Sequence, residues 1–405
     1  MLIKENNLEP IDWMKGFPPA ADKIIRYADR SFYGWPQLRW SFNHIEELMP
    51  TKNVWRGSGA SIDFAYNLQN FDDLKIETDQ GILSWKQMLN TMFTDGLIVL
   101  HRGEIVFEDY FCESGPLTRH LIQSCNKSFV GTVAEILIQE DRLDPEALVP
   151  TIIPELENTA WGDATVRQVM DMLIGMEFHE DYSDPKSEIW RFLRATAMSP
   201  PKPEDKIECI ADVLPRIKKQ GSHGQAFAYR EPNIFVLGWI VRRIGNEDLA
   251  TQVSNRIWQH LGTEQDAYYM IDSVGAETSC GLTLRDFIRF GAMVGNNGKV
   301  GDKQVISVEI IDRIMAGGDP ALFAKAGLTA LEGWSYRSQW WVRHVDGRNC
   351  AVARGAHGQL LYIDPTNELV IARFGTTQQP GSALLDGVMW PMVDSITNRL
   401  SRSFR

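Results

Sequence analysis

The chain has 405 residues, of which 44% are hydrophobic and 23% charged, and a formal net charge of -12. That length exceeds the roughly 100 to 200 residues of one simple domain and predicts two structural regions, while the ordinary composition excludes disordered and fibrous classes. An acidic chain repels polyphosphate, and its longest basic runs are the pairs Lys218-Lys219 and Arg242-Arg243, so nucleic acid is excluded as a partner.

The opening stretch MLIKENNLEPIDW lacks the apolar run of roughly 7 to 15 residues that a signal peptide needs, and no later run approaches the ~18 residues of a membrane span. A cytoplasmic protein is the expectation. Cys112, Cys125, Cys209, Cys280 and Cys350 are odd in number, far apart and form no CxxC, which points to free thiols rather than a disulfide framework or a zinc site. The histidines form no HExxH.

In chain order, LIVLHRGEIVFEDYF (residues 97–111) is two β-branched and aromatic runs broken by Arg102-Gly103, the pattern of a hairpin. VAEILIQEDRL, TVRQVMDMLIG, IFVLGWIVRRIG and LRDFIRFGAMVG then place apolar residues three and four apart, as helices do. SPPKPEDK, from Ser199, reads as an exposed proline-rich loop. Towards the end, CAVARGAHGQ supplies a strand, LLYIDPTNELVIARFG a second hairpin around Asp364-Pro365-Thr366-Asn367, and LLDGVMWPMVDSITNRL a helix with Pro391 as a kink. Strands at both ends with helices between them predict an α/β (α+β) architecture: an antiparallel sheet built from both chain ends and flanked by helices, plus an inserted, mostly helical region. The expected division is a discontinuous unit of residues 1–130 and 331–405 and a helical unit of residues 131–330, with the active site in the cleft between them.

Ser124 and Lys127 stand three apart at the start of the amphipathic stretch SCNKSFVGTVAEILIQEDRL, so one helical face presents a hydroxyl beside an amine that can activate it. The same spacing recurs at Ser183/Lys186 and Ser199/Lys202, but proline inside those tetrapeptides disfavours a helical face. A serine at a helix start also serves as a simple cap, the commoner use of the residue. Tyr229 lies just ahead of the apolar run IFVLGWIV, where its phenol can exchange a proton with a lysine; an interface tyrosine is the competing reading. Gly355-Ala356-His357-Gly358 interrupts strand-like sequence with two glycines where backbone can approach a ligand closely, and His357 reads as structural or cleft-lining.

Ser124-x-x-Lys127, then Tyr229, then a glycine-containing strand resembles, in that order, the serine β-lactamase, DD-peptidase and esterase superfamily. The likeness is strongest to the 6-aminohexanoate-dimer (nylon-oligomer) hydrolases and runs from RWSFNHIEELMP through SCNKSFVGT, DMLIGMEFHEDYSDP, TLRDFIRFG and YRSQWW to GAHGQLLYIDP. The resemblance implies a penicillin-recognising (β-lactamase-like) fold and an acyl-enzyme on Ser124, with Lys127 as base and Tyr229 assisting proton transfer to the leaving group. It further implies Tyr182 as a residue that contacts the substrate and the N–H groups of Ser124 and Ala356 as an oxyanion hole; with Tyr182, Ala356 and His357 are the expected substrate-binding residues. Two departures stand out. The last strand lacks the Lys/His-Thr-Gly that holds a β-lactam carboxylate, and Glu231 replaces the asparagine of the Tyr-x-Asn pattern.

The expectation is therefore a serine hydrolase, esterase or amidase, that needs no cofactor and takes a small-molecule substrate. The rival readings are an acyltransferase of the same fold, β-lactamase or DD-peptidase activity, and a catalytically silent binding protein. A homodimer is compatible with the sequence. In the segment after Tyr182, Asp184 and Glu188 face Lys186, Arg191, Arg194 and Lys202, a cationic excess that predicts a preference for neutral acyl groups over an ammonium.

Overall fold

A computed structural model of the chain describes residues 7–180, 184, 186–202 and 204–402. Its largest element is an eight-stranded sheet whose strands come from both ends of the chain. The order is Ser335–Arg337, Trp340–Val345, Arg348–Gly355, Gln359–Asp364, Leu369–Gly375, Thr94–His101, Glu104–Tyr110 and Ala65–Tyr66. All neighbours are antiparallel except the last pair.

The hairpin expected at Arg102-Gly103 is present. Both turn residues have positive φ, 53° and 78°, the conformation that matches the twist of the flanking strands. The central strands are buried on both faces, which is why they read as unbroken apolar runs rather than alternating ones. Leu97, Val99, Leu360, Tyr362 and Ile371 share one core with Met389, Met392, Val393 and Ile396 of the C-terminal helix Asp386–Arg402. Ile98, Leu100, Leu361, Ile363 and Val370 pack on the opposite side with Phe287 and Ile288 of the helix Leu284–Gly295. The helix after Ser124 runs Asn126–Gln139 and belongs to that second core. Gly131 lies so close to the turn before strand Trp340–Val345 that a Cβ there would clash with the Ser338 carbonyl oxygen.

The inserted region is less purely helical than its sequence suggests. Thr51–Val54, Ala267–Ile271, Glu277–Leu282 and His120–Leu121 form a four-stranded antiparallel sheet. AYYMI (residues 267–271) conceals its period because both faces are covered: Tyr268 and Met270 enter one core, Ala267 and Tyr269 another. TVRQVMDMLIG yields only the short helix Val166–Met170, after which Met172 takes a φ of 57° and Asp171 accepts the Ser338 N–H. The second sheet matters for the site because its edge strand His120–Leu121 leads directly into Ser124.

Candidate active site

The segment carrying Ser124 is fixed from three directions. Leu121 N–H donates to Phe42 O at 2.8 Å, just after the helix Leu38–Ser41, and Ile122 N–H to Cys280 O of the second sheet at 2.9 Å. Gln123 then takes a φ of 51°, a left-handed turn that is costly for a residue with a side chain, and Ser124 follows in a single 3-10 turn, Gln123–Cys125, ahead of the helix. The third direction is the main sheet. A Cβ on Gly355 would stand 2.6 Å from the Ile122 carbonyl oxygen, so this strand end approaches as closely as a glycine permits. Ser124 makes no side-chain cap to the helix; the N-terminal position belongs to Cys125, without a capping hydrogen bond.

Lys127 is 3% exposed, and its Nζ donates to Ser124 Oγ at 2.8 Å. The same Nζ donates to both oxygens of Glu231, at 3.0 and 2.8 Å. Burial disfavours the ammonium, but the charges of Glu231 and Tyr229 outweigh it and hold the Lys127 pKa above its ordinary value. Tyr229 lies with its ring centroid 5.1 Å from Nζ and stacks on Trp341 at 5.3 Å. Burial raises the phenol, against the pull of Lys127. Spacing along the helix thus joins Ser124 to Lys127, and the fold brings Tyr229 to the same point from a segment about 100 residues later.

Glu231 is the addition that the sequence flagged only as a departure from Tyr-x-Asn. It immediately precedes the helix Pro232–Gly245. Its backbone N–H donates to Glu180 Oε1 at 2.6 Å. Burial, then the like charge of Glu231, pushes the Glu180 carboxyl up to about 7. Thr278 and Ser279, from a strand that sequence patterning missed, line the slot beside Ser124 together with Met198 and Ile234. The Ser279 hydroxyl is buried without a hydrogen-bond partner among the described residues. The slot encloses only about 10 Å³. Roomier hollows of about 390 and 470 Å³ lie away from Ser124, and one of about 170 Å³ shares Asn126, Ile234 and Thr278 with the slot. Size therefore does not point to the chemistry here; the convergence of Ser124, Lys127, Tyr229 and Glu231 does.

His357 has a φ of 63° and a fully enclosed ring. Its Nδ1 bonds Thr377 O at 2.6 Å and its Nε2 the Tyr33 hydroxyl at 3.1 Å. Burial lowers its pKa to about 4, so it is a neutral ring packed against Tyr33 and Phe42, next to Ala356. Tyr182 lies outside the described residues. The cationic excess expected after it is largely compensated: Arg191 pairs with Glu208 and Arg194 with Asp205, acidic partners that lie farther along the chain. With that pairing, the charge argument for neutral acyl groups loses its basis.

Residues 90–387 match the family described as Beta-lactamase. The chain belongs to the β-lactamase family. It is 31% identical over 349 residues to a 6-aminohexanoate-dimer hydrolase of Paenarthrobacter ureafaciens, covering 85% of this chain and 87% of that one. Among solved structures, a proposed 6-aminohexanoate-dimer hydrolase from Bacillus anthracis superposes with a TM-score of 0.84 at 29% identity, over 95% of this chain and 99% of that one. EstCE1, described as a hydrolase with promiscuous acyltransferase activity, shares the fold at 12% identity with a TM-score of 0.60, over 77% of this chain and 96% of its own. The fold expected from the sequence is thus the observed one. The chain is a hydrolase of a β-lactamase-fold family whose serine hydrolases act on small-molecule amides and esters. Among the described residues, no helix is long and apolar enough to cross a membrane.

Proposed function

We propose that the chain cleaves a carboxylic ester or amide through an acyl-enzyme on Ser124. The observation that carries this reading is the 2.8 Å hydrogen bond from Lys127 Nζ to Ser124 Oγ, with the Tyr229 ring beside the same nitrogen. Ser124 Oγ attacks the carbonyl carbon while its proton passes to Lys127. The N–H groups of Ser124 and Ala356 receive the developing oxyanion, in keeping with the close approach of the Gly355 strand to the nucleophile turn. Tyr229 then gives the leaving amine or alcohol its proton, and water repeats the sequence to release the acid. Tyr182 is assigned to the substrate, and His357 to the cleft wall next to Ala356. The slot lies where the proposed discontinuous unit (residues 1–130 and 331–405) meets the proposed helical unit (residues 131–330).

The substrate class is a linear amide or a simple ester rather than a β-lactam, since Ala356-His357 supplies neither the cation nor the hydroxyl that grips a β-lactam carboxylate. The five unpaired thiols support a cytoplasmic setting. A homodimer is the assembly that light scattering would test.

A panel of p-nitrophenyl esters, the linear 6-aminohexanoate dimer and a chromogenic cephalosporin tests the reading, with intact-protein mass as a second readout. Wild type should turn over an ester or the dimer and gain one acyl mass, and Ser124→Ala should do neither while keeping its melting temperature. Wild-type turnover by a folded Ser124→Ala protein would overturn the mechanism.

A further inference from the structure

An ammonium carries three donors and no lone pair, so Lys127 cannot take the Ser124 proton while it remains protonated. The geometry favours the protonated form. The amine is buried and makes hydrogen bonds of 2.8 and 3.0 Å to the two oxygens of one carboxylate, which leaves its bond to Ser124 Oγ as a donated one. The same geometry offers a resolution, because Nζ stands 2.8 Å from the atom that must lose a proton and 2.8 Å from an atom able to gain one.

We propose that Glu231 is the terminal proton acceptor of this site, reached through Lys127, which passes a proton on as it receives one. This rests on the Ser124 acyl-enzyme reading. In the acylation step the Ser124 O–H bond breaks and its proton moves to Nζ, while one Nζ–H bond breaks and that proton moves to a Glu231 oxygen. The Oγ–C bond forms, and the carbonyl π pair moves to oxygen. On collapse the π bond re-forms, and the C–N or C–O bond breaks with its electron pair on the leaving group. That group takes the Tyr229 proton, and Tyr229 is re-protonated from Lys127 as Glu231 returns its proton to the amine. The pair ends as it began, one ammonium and one carboxylate, and deacylation repeats the cycle with water in place of the serine. Glu231 touches Lys127 and acts through it, so it is a positioning residue for the proton rather than a group on the substrate.

Glu231 is at the N-terminal end of the 14-residue helix Pro232–Gly245, where negative charge is favoured. Of the other titratable groups around the pair, Tyr229 and Cys125 adjoin Lys127, while Glu180, Tyr33 and Tyr336 bear on Glu231. Among the described residues, fixed cations nearby include Arg230, which acts on Glu180, Arg30, which acts on Tyr33, and Arg354, which interacts with Tyr229 and pairs with Asp386.

The test is the pH profile of kcat/KM for p-nitrophenyl acetate in wild type, Glu231→Gln and Glu231→Asp, with the pre-steady-state burst recorded alongside. With glutamine in place, Lys127 must lose its proton to solvent before attack. The acid limb should then move to higher pH by about one unit or more, with a loss on the order of 10²-fold at neutral pH, while Glu231→Asp returns the limb to its wild-type position. A limb that stays put would make Glu231 a packing residue. A limb that moves to lower pH, with faster turnover at neutral pH, would show that a free lysine amine is the base and that Glu231 only inhibits it; either result overturns the proposal.

Should Glu231→Gln fail to fold, a proton inventory of wild-type acylation decides. Two protons in flight give a curved dependence on the D2O fraction, whereas a straight line means one proton moves and overturns the relay. A wild type that shows no burst and no acyl mass would instead remove the Ser124 reading itself.

Discussion

At the scale of single residues, the site is a short polar row laid across an otherwise apolar interior. Replacing Lys127 with alanine removes both the donor to Ser124 and the partner of Glu231, leaving a carboxylate without its counter-ion. We expect kcat/KM to fall by about 10³-fold or more, read with an activated ester, and stability to fall as well because the orphaned anion lies at the edge of the core. Glu180 offers a test by linkage. Its folded pKa of about 7 lies above the ordinary carboxylate range, so between about pH 4.5 and 7 the native state keeps a proton that the unfolded chain has lost, and stability declines as pH rises through that window. Glu180→Gln should flatten that part of the melting-temperature profile and gain on wild type above pH 7. A parallel pair of profiles would remove the burial argument. That Ser124, Lys127 and Tyr229 lie together was legible in the sequence, because Ser-x-x-Lys spacing is local and the order of motifs is distinctive. Glu180 and Ser279 were not, since only the folded chain brings a loop carboxylate and a strand hydroxyl to the same slot.

At the scale of elements, the turn that carries Ser124, the proposed nucleophile, is positioned by close backbone approach. Gly355 is extended, so alanine there would suffer no conformational strain; the cost is space, because the new methyl would press on the Ile122 carbonyl. Gly355→Ala should therefore lower kcat/KM on the order of 10²-fold through a displaced Ser124, with a smaller effect on melting temperature. Equal activity in a folded variant would show that the strand end can give way. The glycines of GAHG were read as a place where backbone approaches a ligand; in the structure the close neighbour of Gly355 is the Ile122 carbonyl. Two classes of element escaped the reading. Ala267–Ile271 is covered on both faces and so shows no alternation, and the helical period after Thr165 is cut off at Met170 when Arg167, Arg337 and the Ser338 N–H converge on Asp171.

At the scale of the whole molecule, apolar faces are satisfied only when distant parts of the chain meet. The strand Thr94–His101 finds its second neighbour in Leu369–Gly375, roughly 270 residues later, and the core beneath them is closed by the C-terminal helix. Such pairing carries a large loop-closure cost and is slow to form. The consequence concerns the order of events during synthesis. Ser124, Lys127 and Glu231 have all been polymerised long before the strand that ends at Gly355 exists to press against Ile122, and before the sheet beneath it can close. A growing chain thus holds these side chains in an unfinished frame, and the proposed site is assembled only after the strands Arg348–Gly355 and Leu369–Gly375 and the helix Asp386–Arg402 have been made.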